Sequence, residues 1–327
     1  MATGSADRPR AVIVGARRQR QGIGEFIAAN LDGAGVEIAG IVGTTDETVA
    51  EAQRGLEQGH GIRARGYLSL AEALAKERPT LVAICSPYAH HRAQLERVAR
   101  AGAHCLCEKP LWWWTGAGEP GCPAVTATLA NDFARQGLLL DLVTQWPYTL
   151  AAFDELHEGV RGGETLHRFE MILSPLSRGG AMLPDAAPHV LSMLHALVGA
   201  GVVQDPVAAY DDPDGERMAL DFRYRHAAGE TAVSCRFNCT PARPRPAAYA
   251  INGRWVHRRI GMPGYAIHFD SDDASIAVED PLKLLVRDFV SRLRCHEPTD
   301  VRRLVAGMSA LEQLATAVAR AGAPKEG

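Results

Sequence analysis

The chain has 327 residues, 46% hydrophobic and 22% charged, with a formal net charge of -3. That length predicts two domains, at about 100 to 200 residues each. The near-neutral balance argues against nucleic acid or an anionic membrane as the main partner, and no apolar run reaches the ~18 residues that a bilayer span needs. Residues 1–10 lack an apolar signal region, so a cytoplasmic location is expected. The 7 cysteines are scattered without metal-ligand spacing and read as reduced, mostly buried thiols, so no metal is expected.

An apolar strand over 11–15 ends in Gly15, a basic loop carries Arg17 and Arg18, and Gly22, Ile23 and Gly24 open a helix over 25–31. Glycines at a strand-to-helix turn let backbone amides approach a pyrophosphate at the helix amino terminus. The spacing is longer than the compact G-x-G-x-x-G pattern. A second strand over 36–42 ends in Gly43, Thr44 and Thr45, followed by a helix over 47–56. No carboxylate stands at that tip to hold ribose hydroxyls, and Arg17 and Arg18 could accept an extra 2'-phosphate. The pattern therefore leans to NADP(H) within NAD(P)(H), while Asp46, just past the tip, keeps NAD open.

A short segment at 67–69, a helix over 70–75 and a strand over 81–85 follow, the strand ending in Ser86 and Pro87. The next helix runs to 101, with Gly102 as its left-handed cap. A strand over 103–107 then delivers Glu108, Lys109 and Pro110. A helix over 123–136 and a sixth strand over 138–143 complete a first domain, 1–145. Such alternation marks a doubly wound parallel sheet, whose ligands sit at the carboxyl ends of the strands. Lys109 is thereby placed for chemistry or substrate binding.

With its glycine turn at 15–24, Ser86-Pro87 with His91 four positions after the proline, Glu108-Lys109-Pro110, and Asp185 with His189 about 75 residues later, the chain resembles the Gfo/Idh/MocA family. The resemblance implies a Rossmann domain followed by an α+β domain with an open, mostly antiparallel sheet that often forms the oligomer interface. It implies reversible hydride transfer between nicotinamide and a hydroxyl or carbonyl carbon, often on a sugar or cyclitol. By the same resemblance Lys109, Asp185 and His189 surround the reacting group, and Ser86, Pro87, His91, Glu108 and Lys109 lie along the cofactor. The long glycine loop and the triplet Trp112, Trp113 and Trp114 depart from the family pattern.

In the second domain, 146–327, a crossover with Tyr148 leads to a helix over 150–157 and a strand over 166–173. Arg178 stands in a glycine-rich turn before a helix over 186–197, where Asp185 and His189, four apart, share one face. Strands over 218–224, 231–238, 248–251, 255–260, 265–269 and 274–278, joined by Gly, Asp and Pro turns, predict an antiparallel sheet with a face free for a second copy, giving a homodimer or homotetramer. Helices over 282–293 and 301–319 close the chain, and the C-terminal helix is expected to pack back on the first domain.

His189 is the expected acid/base, since imidazole changes charge near neutral pH. Asp185 would orient it, and Lys109 would hydrogen-bond the substrate oxygen. His91 and Tyr148 could line the pocket, although His91 equally suits a helix end. The tryptophans fit either a wall for an apolar substrate, with Trp112 foremost, or a subunit contact. Arg178 could meet an anionic substrate or be merely exposed. Two rival functions share this scaffold: reduction of a C=N bond, and a dinucleotide-binding sensor or assembly subunit without turnover.

Overall fold

A computed structural model describes residues 8–17, 22–113 and 121–322. Arg18 of the basic loop and Trp114 of the triplet lie outside the described residues. The chain divides into two compact units, the first reaching Val143 without Gly121–Ala124 and taking in Leu282–Val301, the second formed by the remainder.

In the first unit strands and helices alternate: β1 (Arg10–Val14), α1 (Gly24–Gly33), β2 (Glu37–Val42), α2 (Asp46–His60), β3 (Arg65–Tyr67), α3 (Leu70–Glu77), β4 (Leu81–Ile84), α4 (His91–Arg100), β5 (His104–Glu108), α5 (Cys122–Ala134) and β6 (Leu140–Val143). All six strands pair in parallel, in the order β3-β2-β1-β4-β5-β6. Right-handed crossovers then carry the helices to opposite faces on either side of β1 and β4, the Rossmann arrangement. The continuous apolar runs follow from this. Ala11 to Ile13, Leu81 to Ile84 and Cys105 to Cys107 have no exposed surface, because both faces of the sheet are covered.

One edge of this sheet is tied by a buried carboxylate. Glu77, at the end of α3, is 1% exposed and accepts hydrogen bonds from Tyr67 Oη on β3 and from Arg10 Nη2 on β1 at 2.7 Å. Arg65 approaches its other oxygen at 3.4 Å. Burial alone would raise this carboxyl's pKa, but Tyr67, Arg10 and Arg65 together hold it below the usual value.

The second unit begins with a 3-10 turn at Trp146–Thr149, α6 (Leu150–Leu156) and a short α7 (Val160–Gly163). Then come β7 (Arg168–Leu173), α8 (Met182–Val198), β8 (Gly201–Tyr210), β9 (Arg217–His226), β10 (Gly229–Asn238), β11 (Ala247–Ile251), β12 (Arg254–Gly261), β13 (Ala266–Asp270) and β14 (Ser275–Val278). They form one open eight-stranded sheet, β14-β13-β12-β11-β7-β10-β9-β8, antiparallel except where β10 meets β7. Its covered face holds an aromatic cluster. Trp146 meets Tyr249 and Phe269 edge-on at 6.1 and 6.4 Å, and Phe153 stacks on Tyr249 at 5.9 Å. Tyr249 Oη donates to the Thr149 carbonyl at 3.2 Å, which satisfies a hydroxyl that would otherwise be stranded in the core.

Strand β8 is absent from the sequence-based expectation because Asp205-Pro206 interrupts its apolar alternation. It survives as an edge strand: the pairing with β9 shifts between Gln204 and Val207, and Asp205 takes a left-handed φ of 46°. Helix α8 begins at Met182, four residues earlier than its apolar spacing suggests, since Pro184 is compatible with a first helical turn.

Two helices follow, α9 (Pro281–Arg294) and α10 (Val301–Arg320). The segment that joins the first unit is Leu282–Val301, so the helix before the last makes that return and α10 stays with the second unit. Arg292 pairs with Asp141 of β6, while Thr299 Oγ1 accepts from Leu140 N at 2.7 Å and donates to Leu138 O at 2.7 Å. Arg294 caps the carbonyl of Ala34 at 3.0 Å.

Replacing Glu77 leaves Arg10 and Tyr67 facing no acceptor of equal strength. Because Arg10 is 37% exposed, solvent relieves part of the loss, and Glu77→Gln is expected to lower unfolding stability by about 2 kcal/mol in urea titrations. A loss below about 0.5 kcal/mol would show that the carboxylate does not anchor this edge.

Candidate functional site

The carboxyl edge of the parallel sheet is built around two glycines. At Gly15, with φ of 84°, an added Cβ would lie 2.9 Å from Cys85 O on the neighbouring strand. At Gly24 it would collide with the carbonyl oxygen of Gly15 itself. Only hydrogen at both positions lets α1 start directly over the end of β1. Ile23, the residue before α1, provides no side-chain cap, so the first-turn amides are not claimed by a cap at that position. Glycines at 15 and 24 against a helix terminus without a side-chain cap from Ile23 fit a pyrophosphate, and they lie where the strand order reverses between β1 and β4. Glu25, 6% exposed in the same turn, meets His60 Nε2 at 3.0 Å.

At the tip of β2, Thr45 caps α2, its hydroxyl accepting from Thr48 N while Thr48 Oγ1 accepts from Thr45 N at 3.0 Å. Thr44 is exposed beside it, and its amide donates to Thr48 Oγ1 at 3.2 Å. Arg17 is held against α2 by Glu51, with Nε to Oε2 at 2.6 Å.

At β4, Ser86 Oγ donates to Gln94 Oε1 at 2.7 Å, and Pro87 is exposed. His91 does not line a pocket. It has no exposed surface, with Nε2 2.7 Å from Ser86 O and Nδ1 3.0 Å from Pro110 O. The ring thus clasps the segments that leave β4 and β5. Burial pushes its pKa below the ordinary value, against the backbone carbonyls of Ser86 and Pro110. The neutral ring has one N–H. The tautomer with Nε2 donating to Ser86 fits best, because Cys107 Sγ lies 3.5 Å from Nδ1 and can donate to it. Burial raises the thiol pKa of Cys107, keeping that proton in place.

Glu108 ends β5, and its charge adds to burial in raising the thiol pKa of Cys85 at the end of β4. Lys109 follows at once, half-buried, and its peptide with Pro110 is cis. Trp112 is not a substrate wall. It is 2% exposed, its indole N–H donates to Thr126 Oγ1 at 3.0 Å, and the guanidinium of Arg92 lies 5.8 Å from the ring centre. Trp113 is half-buried beside it.

In the second unit, Asp185 lies in the first turn of α8, where the helix dipole favours a carboxylate, and accepts from Ser177 Oγ at 2.9 Å. His189 follows one turn later on the same face, also half-buried. Tyr148 sits in the 3-10 turn that packs against α8. Arg178 precedes α8 but is 56% exposed and paired with Glu216 at 2.7 Å, so its charge is already engaged.

No group of three or more metal-binding side chains occurs among the described residues, and no helix among them is long and apolar enough to cross a membrane. The sequence pattern also passes over Arg245 and Arg258. Arg258 is readable in retrospect, because it falls in step with the buried Val256 on a strand whose intervening residue, His257, is exposed.

Residues 9–116 match the model of an oxidoreductase family with an NAD-binding Rossmann fold, GFO_IDH_MocA. None of the curated proteins matches the sequence. Among solved structures, UDP-N-acetylglucosamine 3-dehydrogenase GnnA from Acidithiobacillus ferrooxidans is 19% identical, with a TM-score of 0.69, over 96% of this chain and 99% of that one. GenD2 from gentamicin A biosynthesis, in complex with NAD, is 16% identical, with a TM-score of 0.69, over 95% and 94%. A variant of KijD10, a 3-ketoreductase from Actinomadura kijaniata in complex with TDP-benzene and NADP, is 17% identical, with a TM-score of 0.66, over 95% and 98%. At these identities the likeness is one of fold.

The clasp at His91 has a pH signature. A folded-state pKa below the ordinary 6.5 means that its contribution is fully present above that value and is lost as pH falls through the lowered one. His91→Asn should cost about 1 to 2 kcal/mol at pH 7.5 and less at pH 5.5, measured by urea unfolding of both proteins. A wild-type to variant difference that stays constant between the two pH values would rule out a neutral, clasping His91.

Proposed function

We propose that the protein, whose residues 9–116 match the model of an oxidoreductase family with an NAD-binding Rossmann fold, catalyses NAD(P)-dependent reversible oxidation of a hydroxyl carbon on a small sugar-like, cyclitol-like or secondary-metabolite-like substrate. The observation that carries this reading is the emergence of Glu108-Lys109-Pro110 at the carboxyl edge of the parallel sheet, on the strand next to β4, where the glycine turn also lies. Gly15, Gly22, Ile23 and Gly24 would hold the pyrophosphate, Thr44, Thr45 and Arg17 the adenosine ribose, and Ser86, Pro87 and Glu108 the remainder of the dinucleotide. When bound, the nicotinamide supplies or accepts the hydride.

What the chain must do is manage the proton and the charge on the substrate oxygen. His189 takes the hydroxyl proton during oxidation and returns it during reduction. Asp185, one helical turn away, orients the imidazole and offsets its charge. Lys109 donates a hydrogen bond to the same oxygen and stabilises the negative charge that develops there. Tyr148 is assigned to substrate contact. NADP(H) is the favoured cofactor, because the β2 tip offers hydroxyls and Arg17 in place of a carboxylate.

The same reading takes the protein to act in the cytoplasm as a homodimer or homotetramer, and the exposed residues of β9 and β10 support that sheet face as the contact for a second copy.

Lys109→Met and His189→Ala should each lower kcat/KM on the order of a hundredfold or more, while cofactor affinity in a fluorescence titration changes by less than about threefold. Undiminished turnover in both variants would remove the assignment. Cofactor that binds yet is never oxidised or reduced across alcohols, ketones and imines would make the protein a sensor.

Arg17→Ala should weaken NADP binding by about tenfold, or ~1.4 kcal/mol, and leave NAD binding unchanged. Equal affinity of the unmodified protein for both dinucleotides would overturn the NADP preference.

A further inference from the structure

Arg258, on β12, has its side chain on the covered face of the second sheet, in step with the fully buried Val256 and opposite the fully buried Phe269 of β13. Its guanidinium lies 5.3 Å from the ring centre of Trp146, and its Nη2 donates to the carbonyl of Arg245 at 3.0 Å. That bond brings the segment before β11, with Arg245, onto β12. The Nε atoms of both arginines are buried, and neither has a hydrogen-bond partner among the described residues. Neither guanidinium forms an ion pair with a described carboxylate.

Two adjacent cations with unfilled buried donors oppose the usual rule that interior charge is paired and interior N–H groups are bonded. Desolvation first, and then a neighbouring guanidinium, lowers the pKa of each, Arg243 acting on Arg245 and Arg245 on Arg258, the opposite of what an internal ion pair does; Asp185, Tyr265 and Cys239 oppose this at Arg245, and Tyr265 and Asp280 at Arg258. The position is informative because Asp185 belongs to α8, and Trp146 opens the turn that packs on α8 and carries Tyr148. A guanidinium fork matches the oxygens of a carboxylate or a phosphoryl group, and stacking on an aromatic ring leaves its in-plane donors available.

We propose that Arg245 and Arg258 form an oxyanion-binding subsite of the second unit, so that the preferred substrate is a polyol or cyclic alcohol carrying a carboxylate or a phosphoryl group. The binding subsite stands on its own geometry, whereas its assignment to the substrate rests on the oxidoreductase reading above. Arg178, exposed and already paired with Glu216, is not part of it.

The test is an equilibrium measurement on the full chain saturated with NADP, so that anion binding at the dinucleotide site does not interfere. Glucuronate, inorganic phosphate and, as a neutral control, glucose are titrated at constant ionic strength, with melting temperature and calorimetric heat as readouts. A saturable rise in melting temperature is expected with glucuronate or phosphate, the stronger of the two identifying the group, and none with glucose. Arg245→Gln and Arg258→Gln should each weaken that binding at least tenfold while NADP affinity stays the same.

If Arg258→Gln fails to fold, Arg245→Gln alone decides, since Arg245 lies outside the strands. No saturable response to either anion overturns the proposal, as does full retention in the variants or a loss confined to Arg178→Gln. Because the readout is binding, turnover is assayed separately, and anion binding without any redox activity would sink the oxidoreductase reading and leave the subsite standing.

Discussion

The crossing of α1 over the end of β1 is the constraint on which the first unit depends. Gly24 stands so close to the Gly15 carbonyl that no side chain fits between them, and Gly15 is itself confined by Cys85, just past β4. The strand, the turn and the helix are therefore locked as one object. It lies where the strand order reverses. A methyl group at either glycine would have to push the helix from the sheet, so the dinucleotide cradle and the packing of the parallel sheet are a single requirement.

Around that edge, polar side chains that resemble ligand-binding groups turn out to be braces. His91 uses both ring nitrogens within the fold, joining the segments beyond β4 and β5. Trp112 spends its indole N–H on Thr126, and Ser86 spends its hydroxyl on Gln94. The consequence is that Glu108 and Lys109 leave β5 from a strand fixed by β4 and by His91, whose Nδ1 accepts from the Cys107 thiol. A site lysine is useful when its backbone cannot drift, and these bonds supply that rigidity without contacting a substrate.

The parallel sheet was legible in the sequence because a strand covered on both faces must be apolar throughout, and the runs at Val12, Val82 and Leu106 leave no alternative. The same logic fails at β8, where Pro206 breaks the alternation and only the bulge and the edge position reconcile proline with pairing. The roles expected of Lys109, Asp185 and His189 come from the family resemblance, and spacing by itself supplies only that Asp185 and His189 share one helix face. The roles of His91 and Trp112 were not legible, since a buried histidine and a ligand histidine have the same letter and differ only in which acceptors reach the ring. The return of Leu282–Val301 to the first unit depends on Asp141, an acidic residue inside an otherwise apolar strand, whose partner Arg292 is far away in sequence. No local pattern announces such a pair.

The inward arginine on β12 is the point where local and global preferences conflict most openly. Its neighbours in the sheet are Val256, Phe269 and Ala247, and a hydrocarbon side chain at position 258 would pack there without the cost of desolvating a charge. Trp146 lessens that cost by offering its ring face, and the Arg245 carbonyl takes one of the donors. The remaining Nε–H is still buried without an acceptor, and the second cation beside it raises the cost further. Arg178 shows the contrast: on the surface, its charge is met by Glu216 and requires nothing else. Two guanidiniums whose Nε–H groups lack acceptors, where apolar residues would be more stable, are the feature that the proposed oxyanion would satisfy.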